Sequence, residues 1–116
     1  MSFRVLFLAH AADADPAVHR TEIDTGMYRL WTVVVRSQSQ ALDVTRQLVQ
    51  EMRIDSILLC PGFTHGQVAA IKQAAGPKVG VSVARGDGPA ARLSLAARQR
   101  EGYSRAPKAE SDQQAT

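Results

Sequence analysis

Four segments of the chain have the hydrophobic pattern of β-strands. The first is apolar without interruption, which is typical of a central strand covered on both faces in a parallel sheet. The second is rich in β-branched and aromatic residues, and the fourth alternates strictly between valines and small residues. The four segments are Val5–Ala9, Tyr28–Val35, Ile54–Cys60 and Lys78–Ala84.

Helical segments are predicted between these strands and after the last one. Ser37 and Gln40 stand three apart before a helically spaced apolar pattern, as do Thr64 and Gln67, and this is the signature of a capping box. Asp15-Pro16 has the pattern of a helix start. The predicted helices run from Pro16 to Ile23, from Ser37 to Met52, from Thr64 to Gly76, and from Pro89 to about Glu101 with Leu93 and Ala97 on its buried face.

Strands that alternate with helices favour βαβ units and a parallel sheet. The prediction is a small open, mostly parallel α/β sheet of four strands in the order 2-1-3-4, flavodoxin- or Rossmann-like, with right-handed crossovers and flanking helices. If the helix at residues 16–23 does not form, the alternative is a second strand that runs antiparallel at an edge. Strands one and three are neighbours in the predicted order, so the expected ligand site is the crevice between their carboxyl ends.

The turn after the third strand carries the residues best suited to chemistry. Cys60 ends that strand, His65 lies in the first turn of the next helix, and His10 ends the neighbouring first strand. A helix N-terminus stabilises a thiolate, and an imidazole can act as its base. Cys60, His10 and His65 are therefore the candidate catalytic residues. The alternative is that Cys60 is a small buried hydrophobe at the end of a core strand.

The same turn predicts a cradle for an anion at the start of the helix. Backbone groups of the turn would bind the ligand, and a later loop would close over it. The predicted ligand-binding residues are Gly62, Phe63, Thr64, Gly66 and Arg85. Neither a P-loop nor a dinucleotide fingerprint is present, and a well-capped tight turn is the alternative. The histidines and the cysteine have no recognised metal-ligand spacing, so no metal is predicted, and the sequence identifies no cofactor.

Composition narrows the classes of partner. The net charge is +3, but the basic residues form no stripe and aromatic residues make up only 5%, so no nucleic-acid partner is predicted. A single cysteine excludes an intrachain disulfide and favours a cytoplasmic location. No apolar run approaches the ~20 residues that span a bilayer, so no membrane partner is predicted.

The length fits one domain, residues 1–101, and the polar composition of residues 102–116 predicts a disordered tail.

Several local features occur in the order of a known family. They are the apolar first strand, the Asp-Pro-x-x-His-Arg motif of residues 15–20, the Cys-x-Gly-Phe turn of residues 60–63, and the Val-Gly-Val-x-Val strand of residues 79–83. Through them, residues 3–90 resemble a family of small, uncharacterised bacterial α/β proteins that carry a domain of unknown function. The resemblance implies no assigned activity, so it transfers no catalytic residue.

These patterns lead to three functional hypotheses. The first is a protein that binds a small polar or anionic metabolite at the carboxyl rim of the sheet, with isomerase, lyase or hydrolase activity. The second is a module that senses a ligand without turnover. The third is a protein-interaction module. A four-stranded sheet also has exposed edges, which predict a homodimer.

Overall fold

The computed structural model of the protein describes residues 1–103. This part of the chain forms one mixed α/β fold with a five-stranded sheet and three helices. The strands are β1 (Phe3–His10), β2 (Arg20–Asp24), β3 (Tyr28–Val35), β4 (Ser56–Leu59) and β5 (Gly80–Val83), and the helices are α1 (Gln38–Met52), α2 (His65–Ala75) and α3 (Gly88–Arg100). The predicted tail lies outside the described residues, except for Gly102 and Tyr103.

The sheet is mostly parallel, but its strand count and order differ from the prediction. The order is β2-β3-β1-β4-β5, so the sheet has five strands where four were predicted. β1 pairs in parallel with β3 on one side and with β4 on the other, and β5 pairs in parallel with β4. The additional strand, β2, pairs antiparallel with β3 and forms one edge.

The predicted helix at residues 16–23 is wrong. The amides of Val18 and His19 both donate to the carbonyl of Asp15, which closes a single turn. The imidazole Nδ1 of His19 then accepts from the Asp15 amide at 2.8 Å, and this bond holds the turn without any further helical residue. Residues 20–24 leave the turn as a strand because pairing with β3 satisfies their backbone groups.

Ion pairs between β2 and β3 stabilise the hairpin that these two strands form. The Arg29 guanidinium on β3 pairs with Glu22 and Asp24 on β2 and lies 4.7 Å from the centroid of the Trp31 ring. The hydrogen bond with Glu22 is the largest cause of a raised Arg29 pKa. The turn places Gly26 at a φ of 101°, a conformation that glycine adopts without a steric cost.

The hydrophobic core lies on one face of the sheet only. Leu6 and Leu8 of β1 pack with Leu48 of α1 and Ile71 of α2, and all four are almost fully buried. The residues that alternate with them on the other face do not belong to this core. The predicted coverage of the first strand on both faces is therefore wrong within residues 1–103, because α1 and α2 lie on the same side.

The two core helices begin where their side chains cap them. Ser37 accepts from the amide of Gln40 at 3.2 Å, while the Gln40 side chain accepts from the Arg36 amide instead of closing the predicted box on Ser37. The predicted box of α2 is complete, since Thr64 and Gln67 bond to each other's amides. By contrast, α3 has no buried residue, and the predicted burial of Leu93 is wrong because this side chain is 75% exposed.

Candidate functional site

The carboxyl ends of β1 and β4 place His10 beside Cys60. The Cys60 amide donates to the carbonyl of Leu8 at 3.0 Å, which extends the β1/β4 ladder by one residue beyond the strand. The His10 ring in turn packs edge-on against the buried ring of Phe63, with centroids 6.1 Å apart. Two residues fifty positions apart in sequence therefore meet at one rim, as the parallel arrangement of the two strands requires.

Gly62 lies against both of these residues. A Cβ atom added to it would stand 3.6 Å from the Cys60 Sγ and 4.0 Å from the His10 Cβ, which are ordinary contact distances. Pro61 has no amide hydrogen, and the Gly62 amide donates to no described residue. The turn thus leaves one backbone donor free next to a thiol and an imidazole-bearing residue.

A cleft of about 480 Å³ opens at this rim. Its walls come from the end of β1, from the turn after β4 and from the far end of α3. The lining residues are Ala9, His10, Cys60, Pro61, Gly62, Arg98 and Tyr103. The cleft lies between neighbouring parallel strands at their carboxyl ends, which is where open α/β sheets bind ligands.

The last turn of α3 and the residues just after it supply Arg98 and Tyr103, two lining residues that the sequence did not predict for the site. The Tyr103 hydroxyl donates to the main-chain carbonyl of His10, and this bond brings the end of α3 to the rim. Arg98 carries a positive charge to the same cleft, and no hydrogen bond or ion pair with another described residue is formed by its guanidinium. Tyr103 is the one aromatic residue of an otherwise polar segment, and that contrast is a signal of anchoring.

The phenol of Tyr103 is held in its neutral form. Partial burial is the largest cause of its raised pKa, although 47% of the residue is exposed, and the negative charge of an ionised Cys60 is the next. The positive charge of Arg98 acts in the opposite direction, and Asp13 raises the pKa further. Cys60 and Arg98 are therefore both close enough to Tyr103 to influence its phenol.

The other residues predicted for the site do not line the cleft. Phe63 is buried beneath His10, and Thr64 is occupied as the N-cap of α2. His65 and Gly66 lie in the first turn of α2, and neither reaches the cleft wall. The Arg85 side chain is 85% exposed and pairs with Asp87 at 3.1 Å instead of closing over the turn.

The arrangement brings together Cys60, His10 and Gly62 from the predicted set. No hydrogen bond joins the Cys60 thiol to an imidazole within residues 1–103, so a preformed thiol-imidazole pair is not part of this conformation. No group of three His, Cys, Asp or Glu residues in the described chain could hold a metal ion. None of its described helices has the length and apolar character needed to cross a membrane.

A second depression of about 420 Å³ lies at the opposite edge of the sheet. Arg53, Asp55 and Lys78 surround it above an apolar floor that includes Ile54 and Val79. It contains no thiol or imidazole, and it lies at the amino end of β4. The chemistry predicted from the sequence is therefore confined to the carboxyl rim.

Residues 1–103 define a small α/β protein with a helical layer on one face of its sheet and a cleft at the topological switch point of the strands. Residues 3–98 match the model of the Family of unknown function (DUF6506), and the chain belongs to this family. The predicted resemblance to a family of unknown function is thereby confirmed, while the bacterial origin stays a prediction. Comparisons with curated proteins and with solved structures gave no match.

Proposed function

We propose that the cleft binds a small anionic metabolite that carries a carboxylate or phosphate group. The observation that carries this proposal is the position of Arg98, which lines the cleft and has no ion-pair partner among the described residues. Arginine binds carboxylates and phosphates through paired hydrogen bonds. The free amide of Gly62 offers a further donor from the opposite wall.

The size of the cleft agrees with a metabolite rather than a macromolecule. Small-molecule sites have volumes of roughly 300 to 1,000 Å³ and combine apolar walls with a few polar groups. Ala9 and Pro61 supply apolar surface here, and Tyr103 and Arg98 supply polar groups. An anion of a few carbon atoms fits this description.

The catalytic form of the proposal assigns proton transfer to Cys60 or His10. These are the titratable residues that the sheet itself contributes to the cleft lining. A thiol or imidazole within reach of a bound carbonyl compound can move a proton, as isomerases and lyases require, or activate water, as hydrolases require. We assign no proton-transfer role to His65, because it does not line the cleft.

Ligand sensing without turnover is the second candidate. It is favoured by the attachment of α3, which buries no residue but reaches the cleft through Tyr103 and Arg98. A ligand that pairs with Arg98 would hold the end of this helix more firmly and so report its presence. We propose a cytoplasmic location for either function, and the free thiol of Cys60 agrees with it.

A thermal-shift screen of small carboxylates and phosphates tests the proposal. A ligand that binds only the native state at about 100 times its Kd adds roughly 2.7 kcal/mol to the free energy of unfolding. For a domain of this size that raises the melting temperature by at least about 10 °C. We expect Arg98→Gln to abolish the shift and Arg92→Gln, an exposed substitution on the same helix, to preserve it.

A steric variant provides an independent test. Gly62→Val places two methyl groups in the cleft beside Cys60 and His10, whereas Gly86→Val adds the same atoms in a loop where no atom lies within 4 Å of the added Cβ. Binding should be lost in the first variant and kept in the second. The proposal fails if no anion shifts the melting temperature, or if the two arginine variants respond equally.

A further inference from the structure

On one face of the sheet, none of the described strand residues carries a charged side chain. The pairing register places Ile23, Leu30, Val5, Ser56 and Gly80 in one row across all five strands of this face. Val5 at the centre of the row is buried, with 7% of its surface exposed, while the other four are exposed or partly exposed; none of the five belongs to the cluster that packs against the helices. A continuous uncharged surface of this kind marks an interaction site in a protein dissolved in water.

The charges of the same strands lie on the opposite face. Arg4 reaches the carbonyl of Met52 at the end of α1, and Arg29 lies over the core residue Trp31. Glu22 is paired with Arg29 and therefore lies on that side too. Because side chains alternate along a strand, this arrangement leaves only apolar and small uncharged residues on the uncovered face.

Central strands of parallel sheets are normally covered on both faces. β1 has the sequence of such a strand, yet within residues 1–103 only the face of Leu6 and Leu8 is packed by helices. On the other face, Phe3 and Ile23 are each about half exposed, at 52% and 53%. The sequence of β1 therefore predicts a second layer on this face, and residues 1–103 do not form one.

We infer that the uncovered face of the sheet binds the same face of a second copy of this chain. The inference is independent of the cleft and of its ligand. The two sheets pack face to face, and the twofold axis lies between them along the direction of β1. This axis places the β3 side of one copy against the β4 side of the other.

The shapes of the two halves fit each other under this axis. In the first row, the bulky Leu30 meets the small Ser56 of the partner, and Ile23 meets Gly80. In the second row the sizes are reversed, since Leu58 meets the smaller Thr32. Alternating large and small residues allow two sheets to interdigitate at a separation of about 10 Å.

The area is sufficient for a specific contact. The sheet has 29 strand residues, and each covers about 3.3 by 4.8 Å, so the flat footprint is about 460 Å² per copy. Two copies together contribute about 920 Å², which is close to the roughly 1,000 Å² that distinguishes biological interfaces from incidental contacts. The absence of charge on the face favours an equally uncharged partner, and an identical face satisfies that requirement.

Sedimentation equilibrium of the full chain tests this inference. From low to high micromolar concentration, we expect the mass to rise from that of one 12.5 kDa chain to twice that value. Leu30→Lys and Ile23→Lys should each weaken the dimer by at least about 100-fold, because each buries two ammonium groups per dimer. Leu93→Lys makes the same kind of change on the exposed surface of α3 and should leave the dimer intact.

The twofold axis has its own test. In the double variant Leu30→Lys, Ser56→Asp, each lysine faces an aspartate of the other copy, so dimerisation should recover relative to Leu30→Lys alone. Far-ultraviolet circular dichroism confirms that every variant is folded. A monomer at all concentrations overturns the inference, as does a dimer that tolerates both lysine substitutions. Failure of the double variant to recover overturns the placement of the axis along β1.

Discussion

Tyr103 donates its phenolic hydrogen to the main-chain carbonyl of His10, a residue 93 positions earlier in the chain. This bond joins the end of the last described helix to the end of the first strand. It is also the contact that brings Arg98 to the cleft, because α3 contributes no buried residue of its own. The proposed anion site therefore depends on one hydrogen bond between distant parts of the chain.

Removing this hydroxyl should loosen α3. In Tyr103→Phe, the free energy of unfolding should fall by about 0.5 to 1.5 kcal/mol, the usual contribution of one hydrogen bond. The amides of residues 88–100 should exchange hydrogen faster, since the end of the helix is no longer held. Hydrogen exchange measured by mass spectrometry checks this, with Tyr28→Phe as the matched control. Equal exchange rates in the two variants would contradict the role assigned to Tyr103.

Alkaline pH should release the same contact. The Tyr103 pKa is raised above 10.0, first by burial and then by the charge of Cys60. The neutral phenol is therefore favoured in the folded state, and its contribution to stability is complete below pH 10.0 and is lost as the pH rises through the raised value. The tyrosinate absorbance of the wild type minus that of Tyr103→Phe measures this ionisation. A midpoint at or below pH 10.0 would sink the prediction.

One buried threonine should be a site of easy stabilisation. Thr45 is fully buried in α1, and its hydroxyl has no hydrogen-bond partner among residues 1–103. Thr45→Val keeps the shape and removes the unpaired polar group, so urea unfolding should show a gain of about 1 kcal/mol. Thr64→Val is the matched change at a threonine that caps α2, and it should cost about 1 kcal/mol. A loss in both variants would show that packing around the Thr45 hydroxyl outweighs its desolvation.

The local patterns of the chain predicted the elements that form the helical layer. The starts of α1 and α2 could be predicted from Ser37 and Thr64. Each side-chain oxygen accepts a hydrogen bond from an amide three residues later, and this interaction depends only on neighbouring residues. The neighbouring positions of His10 and Cys60 followed from parallel pairing of their strands, and β1 does pair in parallel with β4 along four residues. The five-stranded order did not follow, because the pattern from Pro16 to Ile23 fits a short helix as well as a strand.

The sequence predicted only the lining residues that lie at the ends of β1 and β4. Cys60, His10 and Gly62 line it as expected, whereas His65 and Arg85 lie elsewhere. Arg98 and Tyr103 were missed because the direction of α3 depends on a single contact with the rim, and no periodicity in its sequence encodes that direction. Leu93, which the helical pattern assigned to a buried face, is exposed for the same reason.

By itself, the sequence determined which residues form strands of the central sheet and where its two core helices begin, since alternation, apolar runs and caps act over a few residues. Only the tertiary structure decided that β2 joins the sheet, that α1 and α2 leave one face of it uncovered, and that Tyr103 brings Arg98 to Cys60. These outcomes depend on contacts between residues far apart in the chain. Such contacts are selected by the packing of whole elements, and no local pattern specifies them.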